Sequence, residues 1–223
     1  YVLDRLGDPG LTKQFERVGL LPGADWSEST VGTNGIGTCI AEKRSVTIHR
    51  NEHFLCRNTE LSCTAAPICD PHGRMVAVLD VSSAQASCDR EVPIHTIALV
   101  RTSARIIENL FFLNYYRNEI ILRFNETASS IDSPSAGMVA VDRDGRTLAF
   151  NKRARDLCAI RSADSVVNES VEERFGITAN SLHKTALVQG DTPMRLRDIR
   201  SGMELIGTLR GPSIKASPNV KSK

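Results

Sequence analysis

This sequence predicts an α+β fold with antiparallel sheets, and three observations carry the prediction. Tight turns containing Asp and Gly separate runs of β-branched and apolar residues, the mark of hairpins. A long stretch with apolar residues every three or four positions stands between two of those hairpins. A glycine-rich loop near the start leads into a short apolar helix. Helices that interrupt hairpins favour segregated antiparallel sheets over a parallel one.

In chain order, residues 1–7 (YVLDRLG) read as the tail of a first strand. Residues 23–38 (GADWSESTVGTNGIGT) gather glycines, the only tryptophan and three carboxyl or carboxamide groups at one loop-to-helix junction. Glycine permits positive φ and close backbone approach there. Thr33 or Asn34 is placed to cap a helix running through Ile36, Cys39 and Ile40 to about Lys43. Residues 45–49 (SVTIH) read as a strand, His53 and Phe54 as the opening of a short helix, and Cys63 and Thr64 as the start of a strand toward Pro67. Residues 66–81 form a hairpin turning at DPHG, residues 70–73.

Residues 92–117 carry the helical spacing, with Ile94, Ile97, Ala98, Ala104, Ile107 and Phe111 on it and Pro93 in the first turn, where a missing N–H costs nothing. At ~1.5 Å per residue this helix reaches ~35 Å, more than one small domain needs. Its end, LFFLNYY at 110–116, either packs on a sheet or also pairs with a second subunit. A second domain then starts near Glu119. It holds a hairpin at 138–150 turning at DRDG, a short helix at 151–160, and a hairpin at 196–209 turning at Ser201 and Gly202. The tail from Pro212 is rich in Ser, Lys and Pro and reads as a linker.

The 41% apolar content supports packed cores, and 223 residues suffice for one large domain or two small ones. A net charge of +2 gives no reason to expect a nucleic-acid surface on this chain. No apolar run approaches the ~18 residues of a membrane span, and the start lacks the basic and apolar regions of a signal peptide. The six cysteines (39, 56, 63, 69, 88 and 158) include no C-x-x-C pair and fit neither a zinc ribbon nor a secreted disulfide scaffold, so reduced thiols in a cytoplasmic protein are expected.

Several motifs carry a resemblance: LPGADWSE at 21–28, GTNGIGT at 32–38, EHFL at 52–55, CTAAPI at 63–68 and LDVS at 79–82. Together they resemble the sensor region of sigma-54-dependent transcriptional activators of the acetoin and glycerol catabolism type. In that family a GAF domain precedes a PAS domain, an AAA+ ATPase and a helix-turn-helix. SAGMVAVDRDGRTLAFNKRA at 135–154 resembles the opening of the PAS domain. The resemblance implies a GAF-like domain over 1–117, N-terminally incomplete and ending in a connecting helix, a PAS-like domain over 118–211, and a linker over 212–223. It implies a cytoplasmic regulator whose effector is a ketone, diol, glycerol-pathway intermediate or aromatic compound, with no cofactor. A homodimer through the 93–117 helix is expected. The chain has no G-x-x-x-x-G-K-[ST] loop and no basic recognition helix, so it is expected neither to act as an enzyme nor to touch nucleic acid.

The candidate ligand site centres on Trp26, an apolar wall with one donor, beside the charge of Glu28 and the polar handles of Thr33 and Asn34. Equally, Trp26 anchors the loop on the core while Glu28 and Asn34 satisfy backbone groups. His53 and Phe54 border the same region and Cys63 lines its floor, or all three simply pack. A lined cavity behind Trp26 would favour a metabolite sensor. A filled core with an exposed apolar patch would favour a protein-docking or dimerisation module without a small ligand. A thiol nucleophile would need Cys56 or Cys63 beside His49 or His53, and no signature surrounds them.

Overall fold

The computed structural model describes residues 1–7, 9–84, 92–161, 166–188 and 192–212. The chain divides into two compact units, one of Tyr1–Cys69 and Arg74–Glu108, the other of Asp70–Gly73 and Asn109–Lys223. Cys88 and residues 213–223 of the expected linker lie outside the described residues.

The first unit opens with α1 (Thr12–Val18), α2 (Glu28–Val31) and α3 (Gly35–Glu42), followed by β1 (Val46–His49), β2 (Ser62–Cys69) and β3 (Met75–Ser83). The strands form an antiparallel sheet in the order β1-β2-β3. Strand alternation divides β2 between two faces. Ala65 joins Cys39 of α3 and Val46 on one face, while Ala66 and Ile68 join Val100 and Ala104 of α4 (Val92–Tyr115) on the other. Residues 1–7 form no strand. Val2 exchanges backbone bonds with Gly23 and Ala24 (2.8 and 2.9 Å), but Leu3 and Leu6 stay exposed, so no buried face holds the run as a ladder.

The second unit holds β4 (Ile120–Asn125), β5 (Gly137–Val141), β6 (Thr147–Phe150), α5 (Lys152–Leu157), α6 (Val171–Phe175), α7 (Ala179–Val188), β7 (Met194–Arg197) and β8 (Glu204–Arg210). Its five strands run antiparallel in the order β6-β5-β4-β8-β7. Both faces of β4 and β5 are covered. Ile121, Met138 and Ala140 pack with Phe112 and Tyr116, whereas Leu122, Phe124, Val139 and Val141 pack with Leu157, Phe175 and Leu182. Asn151 caps α5 and stitches the sheet, its Oδ1 accepting from the N–H groups of Ala154 (2.8 Å) and Met138 (2.9 Å).

This core also buries a charge cluster. The Arg174 guanidinium meets Asp198 Oδ1 at 2.9 Å and Glu169 Oε2 at 3.2 Å, and donates to the Cys158 carbonyl at 3.0 Å. It also stands 5.7 Å from the Phe150 ring centroid. Asp198 further accepts from the N–H of Ser201 at 3.2 Å and from its hydroxyl, and Arg200 reaches Glu169 Oε1 at 2.8 Å.

Candidate functional site

The glycine-rich junction folds around the N-terminus of α3. Asn34 is fully buried and caps that helix, its Oδ1 accepting from Gly37 N–H at 2.8 Å. Its Nδ2 donates to the carbonyls of Gly32 (2.8 Å) and Trp26 (3.1 Å), tying the loop to the cap. Glu28, exposed at the first position of α2, accepts from the Thr38 hydroxyl. The Thr33 carbonyl accepts from Phe54 N–H at 3.1 Å.

Trp26 is packed into the core of the first unit with Phe15, Val18, Val31, Leu61 and Cys63, and its indole N–H donates to the Gly19 carbonyl at 3.0 Å. Its flat face and its donor are therefore both occupied by protein. Phe54 is largely exposed, and its side chain lies against Gly32, whose φ of 70° and lack of a Cβ permit that approach. His53 does not open a helix. It closes the 3-10 turn Arg50–Glu52, because its φ and ψ are extended and its N–H bonds back to the Arg50 carbonyl at 3.0 Å.

Other buried polar groups of the first unit lack partners among the described residues. His53 is 4% exposed. Its Nδ1 contacts the Arg50 carbonyl at 2.9 Å, while its Nε2 has no hydrogen-bond partner among the described residues. Burial pushes its pKa down, a charged imidazolium being costly there. Asn58 is fully buried, and both its Oδ1 and its Nδ2 are unpartnered. On β3, Asp80 Oδ2 accepts from Ser82 Oγ at 2.6 Å, and its Oδ1 is sealed and unpartnered. A Cβ on Gly35 would come within 2.7 Å of both Asp80 Oδ1 and the Cys63 Cβ, so the carboxyl lies against the first turn of α3.

The connections between these segments are short. Phe54 N–H bonds to Thr33, one residue before the Asn34 cap. Arg50 N–H bonds to the Leu61 carbonyl at 2.8 Å, and Leu61 N–H to the Asn58 carbonyl at 2.9 Å. Cys63 pairs across the sheet with Ile48 and with Ser82, whose hydroxyl lies 3.0 Å from its Sγ. Burial holds the Cys63 thiol far above its ordinary range, so it stays protonated and is no nucleophile. Among the described residues no three His, Cys, Asp or Glu side chains converge as metal ligands, and no helix is long and apolar enough to cross a membrane.

Burial raises the Asp80 pKa to about 6 from 3.8, against the lowering effect of the Ser82 hydroxyl. The folded state therefore holds this proton more tightly than the unfolded chain does. The group's contribution to stability is fully present below the unfolded value and is lost as pH rises through about 6. Asp80→Asn is accordingly expected to raise the melting temperature at pH 8 and to change it little at pH 4. Equal shifts at both values would show that the carboxyl is not strained by burial.

Asn58 and Asp80 are absent from the sequence-based site. Asn58 stands in a polar run, CRNTE at 56–60, that looks like any solvated turn. Asp80 gave a signal, a carboxylate inside the apolar strand run MVAVLDV at 75–81. Clefts also lie among the described residues of the second unit. One of about 210 Å³ lies among Ile120, Val141, Arg143 and His183, and one of about 230 Å³ lies beside Cys158, Arg161 and Arg200.

A family model for the GAF domain matches residues 2–110. The acetoin catabolism regulatory protein of Cupriavidus necator is 35% identical over 153 residues, 69% of this chain and 23% of that protein. The signal-transduction and transcriptional-control protein of Clostridium beijerinckii is 32% identical over 171 residues, 77% of this chain and 26% of that protein. The acetoin dehydrogenase operon transcriptional activator of Bacillus subtilis is 30% identical over 126 residues, 56% of this chain and 20% of that protein. The chain thus spans about a quarter of the length of the curated relatives it matches. Among solved structures, a chain of the E. coli DhaR(N)–DhaL complex aligns with a TM-score of 0.45 at 15% identity, covering 93% of this chain and 75% of that one.

Proposed function

Residues 2–110 belong to the GAF domain family, and from that premise we propose that this chain is the effector-sensing region of a bacterial, cytoplasmic transcriptional activator of a catabolic operon. A small metabolite binds the GAF domain and favours one of two arrangements of the region. The 93–117 helix and a PAS-like second domain pass that bias to a sigma-54-dependent ATPase and a DNA-binding domain elsewhere in the protein. The observation that carries this reading is the 35% identity to an acetoin catabolism regulatory protein over 69% of the chain. As a switch it needs only a few kcal/mol of differential affinity between the states.

The filled core around Trp26 and the outer face of α4 favour a second reading, a module that pairs with another copy or docks a protein. Leu99, Leu110 and Tyr115 are 65%, 62% and 57% exposed, and Leu99, Ile106 and Leu110 recur at coiled-coil spacing. One experiment separates the readings. Short ketones, diols, glycerol and phenols are titrated while melting temperature and sedimentation are followed. The sensor predicts a saturable stabilisation of about 2.7 kcal/mol at a hundred times Kd. A concentration-dependent dimer with no response to any compound would leave the docking module.

A further inference from the structure

We infer that the second unit carries an anion-binding cleft, lined by Arg161, Arg174 and Arg200, that takes a small dianion with carboxylate or phosphate oxygens. The cleft of about 230 Å³ is bounded by Cys158, Ile160 and Ser201 besides these three guanidinium groups, and no acidic side chain among the described residues lines it. All of these residues belong to the second unit, so the inference goes beyond the sensor reading of the first and does not depend on it.

The backbone around the cleft is held by its own hydrogen bonds. After α5, Ala159 turns the chain with a φ of 51°, and Ile160 N–H bonds back to the Arg155 carbonyl at 2.8 Å, which fixes the segment that carries Arg161. The turn between β7 and β8 is closed by Gly202 N–H on the Asp198 carbonyl at 2.7 Å and tied to α6 by Ile199 N–H on the Arg174 carbonyl at 2.8 Å. That turn carries Arg200 and Ser201.

The charges select the ligand. Arg174 is 2% exposed and is matched by Asp198 at 2.9 Å and Glu169 at 3.2 Å. Its bond to the Cys158 carbonyl at 3.0 Å also occupies an oxygen that would otherwise repel an anion. Arg200 reaches Glu169 at 2.8 Å, but its side chain is 60% exposed, where such a pair is weak. Arg161 is exposed and makes no ion pair with any described residue. Three cations against two carboxylates leave a positive wall, and its surplus sits on guanidinium groups that face water. A guanidinium fork matches the geometry of carboxylate and phosphate oxygens, and two forks on separate segments suit a ligand with two negative charges. The cleft is smaller than the ~300–1,000 Å³ of drug-sized pockets, so the ligand is small.

The test is isothermal titration of the whole chain, in a low-salt buffer, with inorganic phosphate, succinate and succinamide, the uncharged counterpart of succinate. Phosphate or succinate is expected to bind saturably, and succinamide not at all. Arg161→Gln and Arg200→Gln are each expected to weaken that binding about tenfold or more, since each removes a charge-assisted hydrogen bond. Both side chains are exposed, so both variants are expected to keep the circular dichroism of the parent. Lys152→Gln, the same change of charge at an exposed position outside the cleft, is expected to leave binding unchanged. Binding of succinate alone would support a carboxylate ligand, of phosphate alone a phosphate ester, and of both the shared chemistry. Equal weakening in all three variants would overturn the cleft in favour of general charge attraction, as would binding that neither cleft variant changes. Succinamide binding as tightly as succinate, or no binding by either anion, would overturn the inference and leave the sensor reading of the first unit standing.

Discussion

Arg174→Ala is expected to cost the second domain about 3–5 kcal/mol, enough to unfold a marginal domain. The cost does not come from the pair's intrinsic attraction, since ion pairs inside proteins recover little more than their desolvation. It comes from what the deletion strands. Asp198 is fully buried, Glu169 nearly so, and the Cys158 carbonyl would lose its bond to the guanidinium. Arg200 would still reach Glu169, but from a largely exposed position that offers Asp198 nothing. Lysine restores charge without the planar fork that serves two carboxylates and a carbonyl together, so Arg174→Lys is expected to recover only part of the loss. Urea unfolding followed by circular dichroism measures both. A loss below about 1 kcal/mol for alanine would be the size of a solvent-exposed pair and would show that water reaches the cluster.

The second large effect is expected at Asn34→Ala, about 2–4 kcal/mol in the first domain. Loss of a capping side chain costs roughly 1 kcal/mol, and buried polar groups left without partners add about 1–3 kcal/mol each. The truncation leaves Gly37 N–H and the carbonyls of Trp26 and Gly32 unserved by the side chain that joined them. Asn34→Asp separates the two contributions. Its carboxylate still accepts from Gly37 N–H but faces two carbonyls it cannot donate to, so an intermediate loss is expected. A loss for aspartate as large as that for alanine would place the whole effect in the loop tie rather than in the cap.

The cap of α3 was legible in the sequence to within one residue, Thr33 or Asn34, because capping is local, and the structure assigns it to Asn34. A polar residue preceding Gly-Ile-Gly-Thr-Cys-Ile leaves few other roles for its side chain, and α3 begins at the following residue. The two Asp/Gly hairpin turns were legible for the same reason, with Gly73 and Gly145 at φ of 82° and 76°. Strand β4 was not. It is six residues long and opens on two successive isoleucines, so the apolar/polar alternation is confined to Leu122–Asn125, too short a run to mark a strand. Helix α6 is five residues long, too short to show a helical period. The role of Trp26 was undecided in the sequence, where pocket wall and core anchor need the same residue type; the bond to Gly19 and the packing around it are tertiary facts. Asn58 was invisible for a related reason, because burial of a polar residue in a turn is set by what folds over it.

The place of Trp26 also makes the two domains optically unequal. It is the chain's single indole, and it is shut inside the first domain. Emission excited at wavelengths that tyrosine does not absorb therefore comes from that domain alone, blue-shifted while it is folded and moving to the red as it opens. The second domain is dark in this channel but contributes to the far-ultraviolet signal. Following both colours of light through one thermal ramp resolves the melting of each domain in the intact chain, with no label and no dissection.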